Sequence, residues 1–592
     1  MRAYDAVHHP QPLVRRPVEL LDGEWEFTAD RDAAMALGSV PFADRIRVPF
    51  APETPASGLA LDGPVRRAWY RRPLPAAAPG VRTLLHLGAV DRIADVWVGG
   101  QHVARHEGGW TPWSVDVTDQ LGDTGADLVV RAEDDERDLD APRGKQEWQQ
   151  EPHAIWYPRT TGIWRTVWLE QAPAVRIEDV RWSAEPRTTT VTATVRMSPD
   201  AVGSRLRIRL SAAGRVLVDD DVLVTRPEMT RTFALGDGGV DDRVALLWWP
   251  DRPVLVDGAL ALVDPRGQVV DEVDTYTALR SVRVEDGRFL LNDRAVRTRM
   301  VLDQGYWPST GLTPPDGDAL RRDLELTRSL GFHGARKHQK TEDPRYLAWA
   351  DRLGMLVWAE MPSAYRPGDV SARRLLAEWA DVVVAHRGHP SVVAWVPTNE
   401  SWGAPEAEHD PRQAELAHAL AAVAGALDGT RPVSANDGWE TSGGQLLGVH
   451  DYEQSPERLA ARYADADALS RRLAARRSDG RLADLDRAPA GGRAVVLSEF
   501  GGISLGAPDE LVTDPLGATS STAAWGYGNA GTPGELLERY RAMWRAVHDS
   551  EVLAGACWTQ LTDTYQEVNG LLRADRTPKV DPELLAAATR GR

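Results

Sequence analysis

The chain has a single cysteine, Cys557, among 592 residues. One thiol excludes an intrachain disulfide and a zinc site built on several cysteines, so nothing marks the chain as made for an oxidising compartment. Long apolar runs are missing as well. None reaches the roughly 20 residues of a membrane-spanning helix, and the opening MRAYDAVHHPQPLVRRP lacks the apolar stretch of a signal peptide. A cytoplasmic location is therefore expected. Basic runs are absent, and 87 acidic against 69 basic residues leave a net charge of −18. That balance argues against nucleic acid or an anionic membrane surface as partner. No HExxH pattern or clustered histidine and carboxylate motif occurs in the sequence, and no metal or other cofactor is expected.

Phenylalanine is scarce too, at 7 residues, whereas tryptophan reaches 22. Tryptophan offers a flat apolar face with a hydrogen-bonding edge, which suits a carbohydrate partner, although most of the 22 are expected in cores. The length implies about two to four domains.

From about residue 18 to 172, GEWEF, AWYRRPL, RTLLHLG, ADVWVGGQHVARH, ADLVVRAE and WRTVWLE alternate apolar and polar positions between turn residues. This is the pattern of an all-β sandwich. A second series, VTATVRMS to GALALVDPRGQVVDEVDTYTALRSV, carries hairpin-like AAGR and DPRG turns and reads as an immunoglobulin-like sandwich ending near Val282. Strands and helices then alternate. VRTRMVLD, GFHGARKH, MLVWAE, SVVAWVPTNE, PVSAND, QLLGVHDY, RAVVLSEF and LAGACWTQ are eight candidate strands; Gly331 closes the first helix, Pro344 opens the second, and another helix begins at Pro411. Eight strands in about 310 residues fit a closed (β/α)8 barrel.

Within that barrel, WVPTNE ending at Glu400 and VVLSEF carrying Glu499 each run an apolar strand into a carboxylate. A lone strand-end glutamate is ordinarily a solvated cap or ion-pair member. Two at the C-terminal ends of barrel strands would meet where the loops converge on a substrate. Retaining cleavage of a glycosidic bond uses such a pair, an acid and a nucleophile roughly 5 to 5.5 Å apart.

In AWYRR (68–72), the run from Gly88 to Thr118, GIWRTVWLE (162–170), HPSVVAWVPTNESWG (389–403) and VVLSEFGG (495–502), the chain resembles glycoside hydrolase family 2, which contains bacterial β-galactosidases, β-glucuronidases and β-mannosidases. The resemblance implies an N-terminal jelly-roll β-sandwich (1–172), an immunoglobulin-like sandwich (173–282) and a catalytic TIM barrel (283–592). It also implies that Glu400 is the general acid/base and Glu499 the nucleophile. Asn399 would bind the sugar 2-hydroxyl, Trp558 would be an aromatic platform, Tyr452 would donate to the nucleophile, and Arg336 would lie near it.

Other residues are weighed by type and place. Glu360 is read as polar support for the site or a structural ion pair, and Trp402, Trp439 and Trp307 as sugar-stacking or loop-packing residues. Asn436, Asp437, His450 and Asp451 are candidate hydroxyl ligands. RKHQKTEDPR is out of step with the family's Arg-x-Ser-His-Tyr run, which leaves His338 or Gln339 for the usual histidine and adds Lys337 and Lys340 as possible clamps for an acidic group. Glu567 and Asn569 stand where β-glucuronidases of the family carry an Asn-x-Lys clamp, and a glutamate there would repel a uronate.

The expectation is an exo-acting retaining β-glycosidase for a neutral sugar, galactose-configured first, including furanose or arabinose relatives. Uronidase or mannosidase specificity, transglycosylation, and a non-catalytic carbohydrate-binding protein are the alternatives. A homo-oligomer is possible, and the Gly/Ser/Thr-rich insertion 514–531 reads as a lid or a passive loop.

Overall fold

The computed structural model describes residues 13–149, 151–236, 240–486, 492–506 and 523–592. Two β-sheet regions precede a parallel barrel. In the first, a six-stranded antiparallel sheet (Asp44–Val48, Gly23–Asp30, Arg67–Leu74, Ala126–Glu133, Ile93–Val98, Gln101–Glu107) faces a four-stranded one (Val18–Leu20, Val167–Ala172, Arg82–Leu87, Trp113–Asp116). Inward positions of both, including Trp25, Phe27, Tyr70, Leu85, Val96, Val130 and Leu169, meet in one core. In the second region, three strands from Ile177 to Ala234 face the four strands Arg215–Leu223, Arg205–Ala212, Val256–Val263 and Val269–Thr277 over Val191, Leu206, Ile208 and Leu260. The alternation read from the sequence is therefore the alternation of core and outward faces.

The barrel strands Thr298–Asp303, Gly334–Lys337, Leu356–Glu360, Val392–Val396, Leu446–Asp451, Ala494–Gly501 and Gly555–Thr559 form one parallel sheet. Nearly every residue in them is buried, as expected of parallel strands covered on both faces. Helices start where the sequence supplies caps. Asp316 accepts from Ala319 N at 2.7 Å before Gly317–Ser329, and Asp343 accepts from Arg345 N at 2.8 Å before Pro344–Leu353.

The expected strand PVSAND is the exception. It joins the two edge strands through separate bridges instead of a ladder. Ser434 N donates to Trp395 O at 2.9 Å and Asp437 N to Thr398 O at 3.0 Å on one side, while Leu446 N donates to Val433 O at 3.1 Å on the other. Pro432 offers no N–H, and the chain turns away at Gly438. The barrel is thus seven laddered strands and one irregular closing segment.

The connection 134–166 leaves the first sandwich and lies across the barrel mouth. Arg143 N and Gly144 N both donate to Ser363 O at 3.1 Å, and Gln566 Nε2 donates to Ala154 O at 2.9 Å and Trp156 O at 2.8 Å. Gly144 is required there, because a Cβ would stand 2.4 Å from Gln339 O. Of the insertion 514–531, residues 514–522 lie outside the described residues. Trp525, in the described part, is buried and donates to Ala154 O at 2.9 Å, so it holds this connection down.

Candidate active site

Strand alternation decides which side chains enter the barrel mouth. Arg336, on Gly334–Lys337, points inward and is fully buried. Its Nη1 reaches Glu499 Oε1 at 2.7 Å; its Nη2 reaches Asn399 Oδ1 at 2.6 Å, Glu360 Oε2 at 2.7 Å and Asp437 Oδ2 at 3.1 Å. Burial alone would oppose its charge, but Asp437, Glu360 and Glu499 raise its pKa well above the ordinary value. One guanidinium therefore ties together the ends of four barrel strands and their loops.

Glu499 is held from several directions. Besides Arg336, Tyr452 OH donates to its Oε2, His450 Nε2 lies 3.4 Å from its Oε1, and His338 Nδ1 lies 3.8 Å away. Burial pushes its pKa up, but His450, Arg336, His338 and the Tyr452 hydroxyl together bring it down to about 2. Tyr452 is itself fixed by Thr559 Oγ1 at 3.1 Å and by Tyr527, stacked on it with ring centroids 3.4 Å apart.

Glu400 follows its strand by a turn in which Glu400 and Ser401 both adopt left-handed backbone angles, φ 53° and 57°. Such angles cost non-glycine residues on the order of 1–3 kcal/mol each. The turn is braced by Glu400 N donating to Asp437 O at 2.8 Å, and by Asn436, which accepts from Ser401 N at 3.1 Å and donates to Ser401 Oγ at 2.9 Å and Trp439 O at 2.7 Å. The Glu400 side chain is partly exposed and meets His450 Nδ1 at 2.7 Å.

His450 stands between the two glutamates, with Asp437 Oδ2 3.1 Å from its Nε2. Burial lowers the pKa of an imidazole, but Glu499, Asp437 and Glu400 outweigh it and raise His450 to about 9. Asp437 is driven far below the usual carboxylate range, against its burial, by Arg336 and His450. The backbone makes room for this pair, since a Cβ on Gly448 would stand 1.7 Å from Asp437 Oδ1.

Glu400, His450 and Glu499 are the one trio among the described residues whose donor atoms all lie within 4.8 Å of one another, as a shared metal ion would require. A metal-binding imidazole must be neutral with a free lone pair. The His450 pKa is raised to about 9 and its Nδ1 is hydrogen-bonded to Glu400, so an ion here would have to displace a proton and that hydrogen bond.

The structure brings Glu400, Glu499, Arg336, Asn399, His338, His450 and Tyr452 together and corrects the reading of others. Trp558 is not an open platform. It faces outward from the barrel wall, fully buried against Phe500 and Tyr540 at 5.1 and 4.6 Å, while its neighbour Cys557 faces in. Asn436 and Asp437 are struts whose polar atoms are taken by protein, and Asp451 is paired with Arg462 and Tyr463. Glu360 backs Arg336 and Gln339 from beneath, fully buried. Of the two candidates for the family's histidine, His338 faces Glu499, whereas Gln339 is tied to Glu360 and Ser363. Lys337 is paired with Asp303 and Glu342 at 2.5 and 2.6 Å, and Lys340 donates to Gly305 O and Leu312 O at 2.7 and 2.9 Å, so neither is free to clamp a ligand. Trp307 lies between Lys340 and Arg576 in a core, and Trp439 beneath Arg477.

Trp402 keeps an exposed part and joins Trp148, Trp156 and Tyr365 in an aromatic group beside Glu400. Trp148 and Trp156, like Lys145 and Tyr157, belong to the 134–166 connection and were missed in the sequence. The available signal was the crowding of tryptophan and charge in GKQEWQQEPHAIWYPR, a stretch too long and irregular for a sandwich turn.

The family profile described as "Glycosyl hydrolases family 2, TIM barrel domain" matches residues 282–455, which include Glu400. A β-galactosidase of Thermoanaerobacter pseudethanolicus is 25% identical over 369 residues, 60% of this chain; the match spans 47% of that relative, about half its length. A β-glucuronidase of Paenibacillus borealis is 25% identical over 475 residues, 72% of this chain and 74% of the relative. The fold is that of a GH2 β-galacturonidase from Eisenbergiella tayi bound to galacturonate (TM-score 0.71, 18% identity, 98% of both chains). It is also that of the Bifidobacterium dentium β-glucuronidase complexed with coumarin-3-O-glucuronide (TM-score 0.75, 18% identity, 98% of this chain and 97% of that one). The profile match identifies residues 282–455 as a TIM barrel domain of glycoside hydrolase family 2, and the chain is similar at 25% identity to named β-galactosidases and β-glucuronidases.

Proposed function

We propose that the chain is an exo-acting β-glycosidase that works with retention, in which Glu499 is the nucleophile and Glu400 the acid/base. The observation that carries this reading is the pairing of a firmly ionised Glu499 with a partly exposed Glu400, carboxyl oxygens within 4.8 Å, across one protonated histidine. That spacing suits double displacement, since an inverting pair needs room for a water between its carboxyl groups, roughly 6.5–9.5 Å. In the first step a Glu499 oxygen bonds to the anomeric carbon and the bond to the aglycone oxygen breaks. The leaving oxygen takes its proton from Glu400, whose carboxyl group is hydrogen-bonded to His450 Nδ1 at 2.7 Å. In the second, water attacks the anomeric carbon, Glu400 takes the water proton, and the Glu499 ester is cleaved. Asn399, fixed by Arg336, is positioned to contact the sugar, and Trp402 with its aromatic neighbours to contact the aglycone. The domain reading that goes with this is a jelly-roll sandwich over 1–172, an immunoglobulin-like sandwich over 173–282 and a (β/α)8 catalytic barrel over 283–592.

A neutral, galactose-configured sugar is the first choice, and a uronide the second. The second is favoured by the names of the relatives and by one buried ammonium at the mouth, Lys145. Nitrophenyl galactopyranosides, galactofuranosides, arabinosides, mannosides, glucosides and uronides, assayed with wild type and Glu499→Gln side by side, test the reading. Hydrolysis of one class that vanishes in the variant supports it; no turnover of any class moves the weight to a carbohydrate-binding role.

A further inference from the structure

The segment from Trp525 to Ala530 is pinned on two sides. Trp525 N donates to Gln566 O at 2.9 Å, and Val568 N donates to Trp525 O at 3.0 Å. Tyr527 N and Gly528 N both donate to Gly502 O, at 2.9 and 3.2 Å, and Gly528–Ala530 then pairs in parallel with Ile503–Leu505, just past Glu499. Two glycines allow the close approach. A Cβ on Gly502, whose φ is 62°, would stand 2.5 Å from Tyr527 Cδ2 and 3.2 Å from Tyr452 Cε1, and one on Gly528 would stand 2.0 Å from Gln454 Oε1. Gln454 in turn holds the backbone of Tyr452, donating to Tyr452 O at 3.0 Å and to Gly501 O at 2.9 Å, and it accepts from Arg539 Nη2 at 2.8 Å. All of this presses one ring on another. The Tyr527 and Tyr452 rings lie with centroids 3.4 Å and planes 8° apart. Aromatic pairs left to themselves prefer offset or edge-on contacts at roughly 4.5–7 Å, so the backbone imposes this stack.

Resting on the glycosidase reading of this site, we propose that Tyr527 is a positioning residue, which by lying flat on Tyr452 keeps the Tyr452 hydroxyl aimed at Glu499 Oε2 throughout the catalytic cycle. Tyr452 OH donates to Glu499 Oε2 and meets Thr559 Oγ1 at 3.1 Å. In double displacement Glu499 turns from carboxylate to ester and back, and a hydrogen bond to it weakens when its charge is lost. The other donors are held whatever Glu499 carries: Arg336 by Glu360, Asp437 and Asn399, and His450 by Asp437 and Glu400. For Tyr452 the stacked ring does this work, because an apolar contact does not depend on the charge of the partner. Tyr527 thus acts on turnover and acts through Tyr452. Trp525 Nε1, donating to Ala154 O at 2.9 Å, extends the brace to the connection from the first sandwich.

The experiment compares wild type, Tyr452→Phe, Tyr527→Phe, Tyr527→Leu and the double variant Tyr452→Phe/Tyr527→Leu on the best nitrophenyl glycoside of the panel. Tyr452→Phe removes a hydrogen bond to a charged group and should lower kcat by about 10- to 100-fold. Tyr527→Leu should lower kcat by about 10-fold with KM little changed, and Tyr527→Phe, which keeps the ring, should stay within about 2-fold of wild type. Once Tyr452 is Phe, the further change Tyr527→Leu should cost less than about 2-fold, a coupling that a merely structural residue would not give. An equal loss with and without the Tyr452 hydroxyl, a loss in KM alone, or Phe as damaging as Leu would overturn the proposal. A second readout needs no turnover. With tyrosine labelled with ¹³C at the hydroxyl-bearing ring carbon, the Tyr452 signal, identified by its absence in Tyr452→Phe, should move in Tyr527→Leu and hold in Tyr527→Phe. An unmoved signal refutes the stack, whereas silence on every glycoside counts against the glycosidase reading and leaves this readout to decide on Tyr527. Melting curves accompany each variant, and if Tyr527→Leu does not fold, Tyr527→Met takes its place in both comparisons.

Discussion

Glu499 and Glu400 are the same chemical group at equivalent places in one barrel, yet they live in opposite surroundings. Glu499 is buried among Arg336, Tyr452, His450 and His338 and ionised far down the pH scale. Glu400 sits at a partly open turn with one side-chain partner, His450. The contrast teaches that a carboxylate's charge follows from the cations and hydrogen-bond donors that surround it. A nucleophile must stay charged and aimed, and the groups around Glu499 suit the role proposed for it. An acid/base must exchange a proton with solvent and substrate, and the partial exposure of Glu400 suits the role proposed for it.

The largest blow to this asymmetry is Glu499→Gln. It should lower kcat on any nitrophenyl glycoside by on the order of 10⁴-fold or more, while the variant still unfolds cooperatively at a temperature lowered by loss of the Arg336–Glu499 pair. Residual activity near wild type would mean that the wrong carboxylate carries the ester. Arg336→Met should act on stability first. Three buried carboxylates lose their common partner, and removing one member of a buried ion pair costs about 3–5 kcal/mol, readable by urea denaturation. A loss below 1 kcal/mol would mean that those carboxylates take up protons instead, as burial already inclines Glu360 to do.

Glu400→Ala should split by leaving group. Loss of about 10²- to 10⁴-fold is expected on alkyl glycosides, with much less on dinitrophenyl glycosides, and partial recovery in azide with formation of a glycosyl azide. A smaller effect is set by His450. Its folded pKa of about 9 lies above its ordinary value of 6.5, so its contribution to stability is complete below about pH 6.5 and is lost as pH rises through 9. Unfolding free energy should decline between those limits, and the decline should be absent in His450→Asn. Glu499 behaves in the opposite sense, its contribution present above the ordinary carboxylate range and lost only as pH falls toward 2.

Much of this site was legible in the sequence where chemistry is local. The strand-end glutamates, the Asn399 neighbour, Arg336 and Tyr452 follow short apolar strands, and a parallel strand delivers its last residue to one known face. What was hidden depended on direction. Trp558 and Cys557 are adjacent, and only the pleat decides which enters the barrel; with a near-continuous apolar strand the pattern gives no phase. Asn436 and Asp437 have the composition of sugar ligands, but their neighbours Ser401, Arg336 and His450 claim them. Lys145 and Tyr157 were hidden because they reach Glu567 at the barrel mouth from the 134–166 connection, across a sequence distance that no local motif spans.

The closing segment 432–438 hangs on separate bridges where its seven companions are laddered. Fewer backbone hydrogen bonds mean a lower free energy of local opening. The wall of the barrel therefore has a seam, and it runs beside the Glu400 turn, where Glu400 N donates to Asp437 O at 2.8 Å. On the mechanism proposed above, the easiest opening of the wall would lie next to the acid/base Glu400, while the nucleophile Glu499 stays on a strand laddered on both sides.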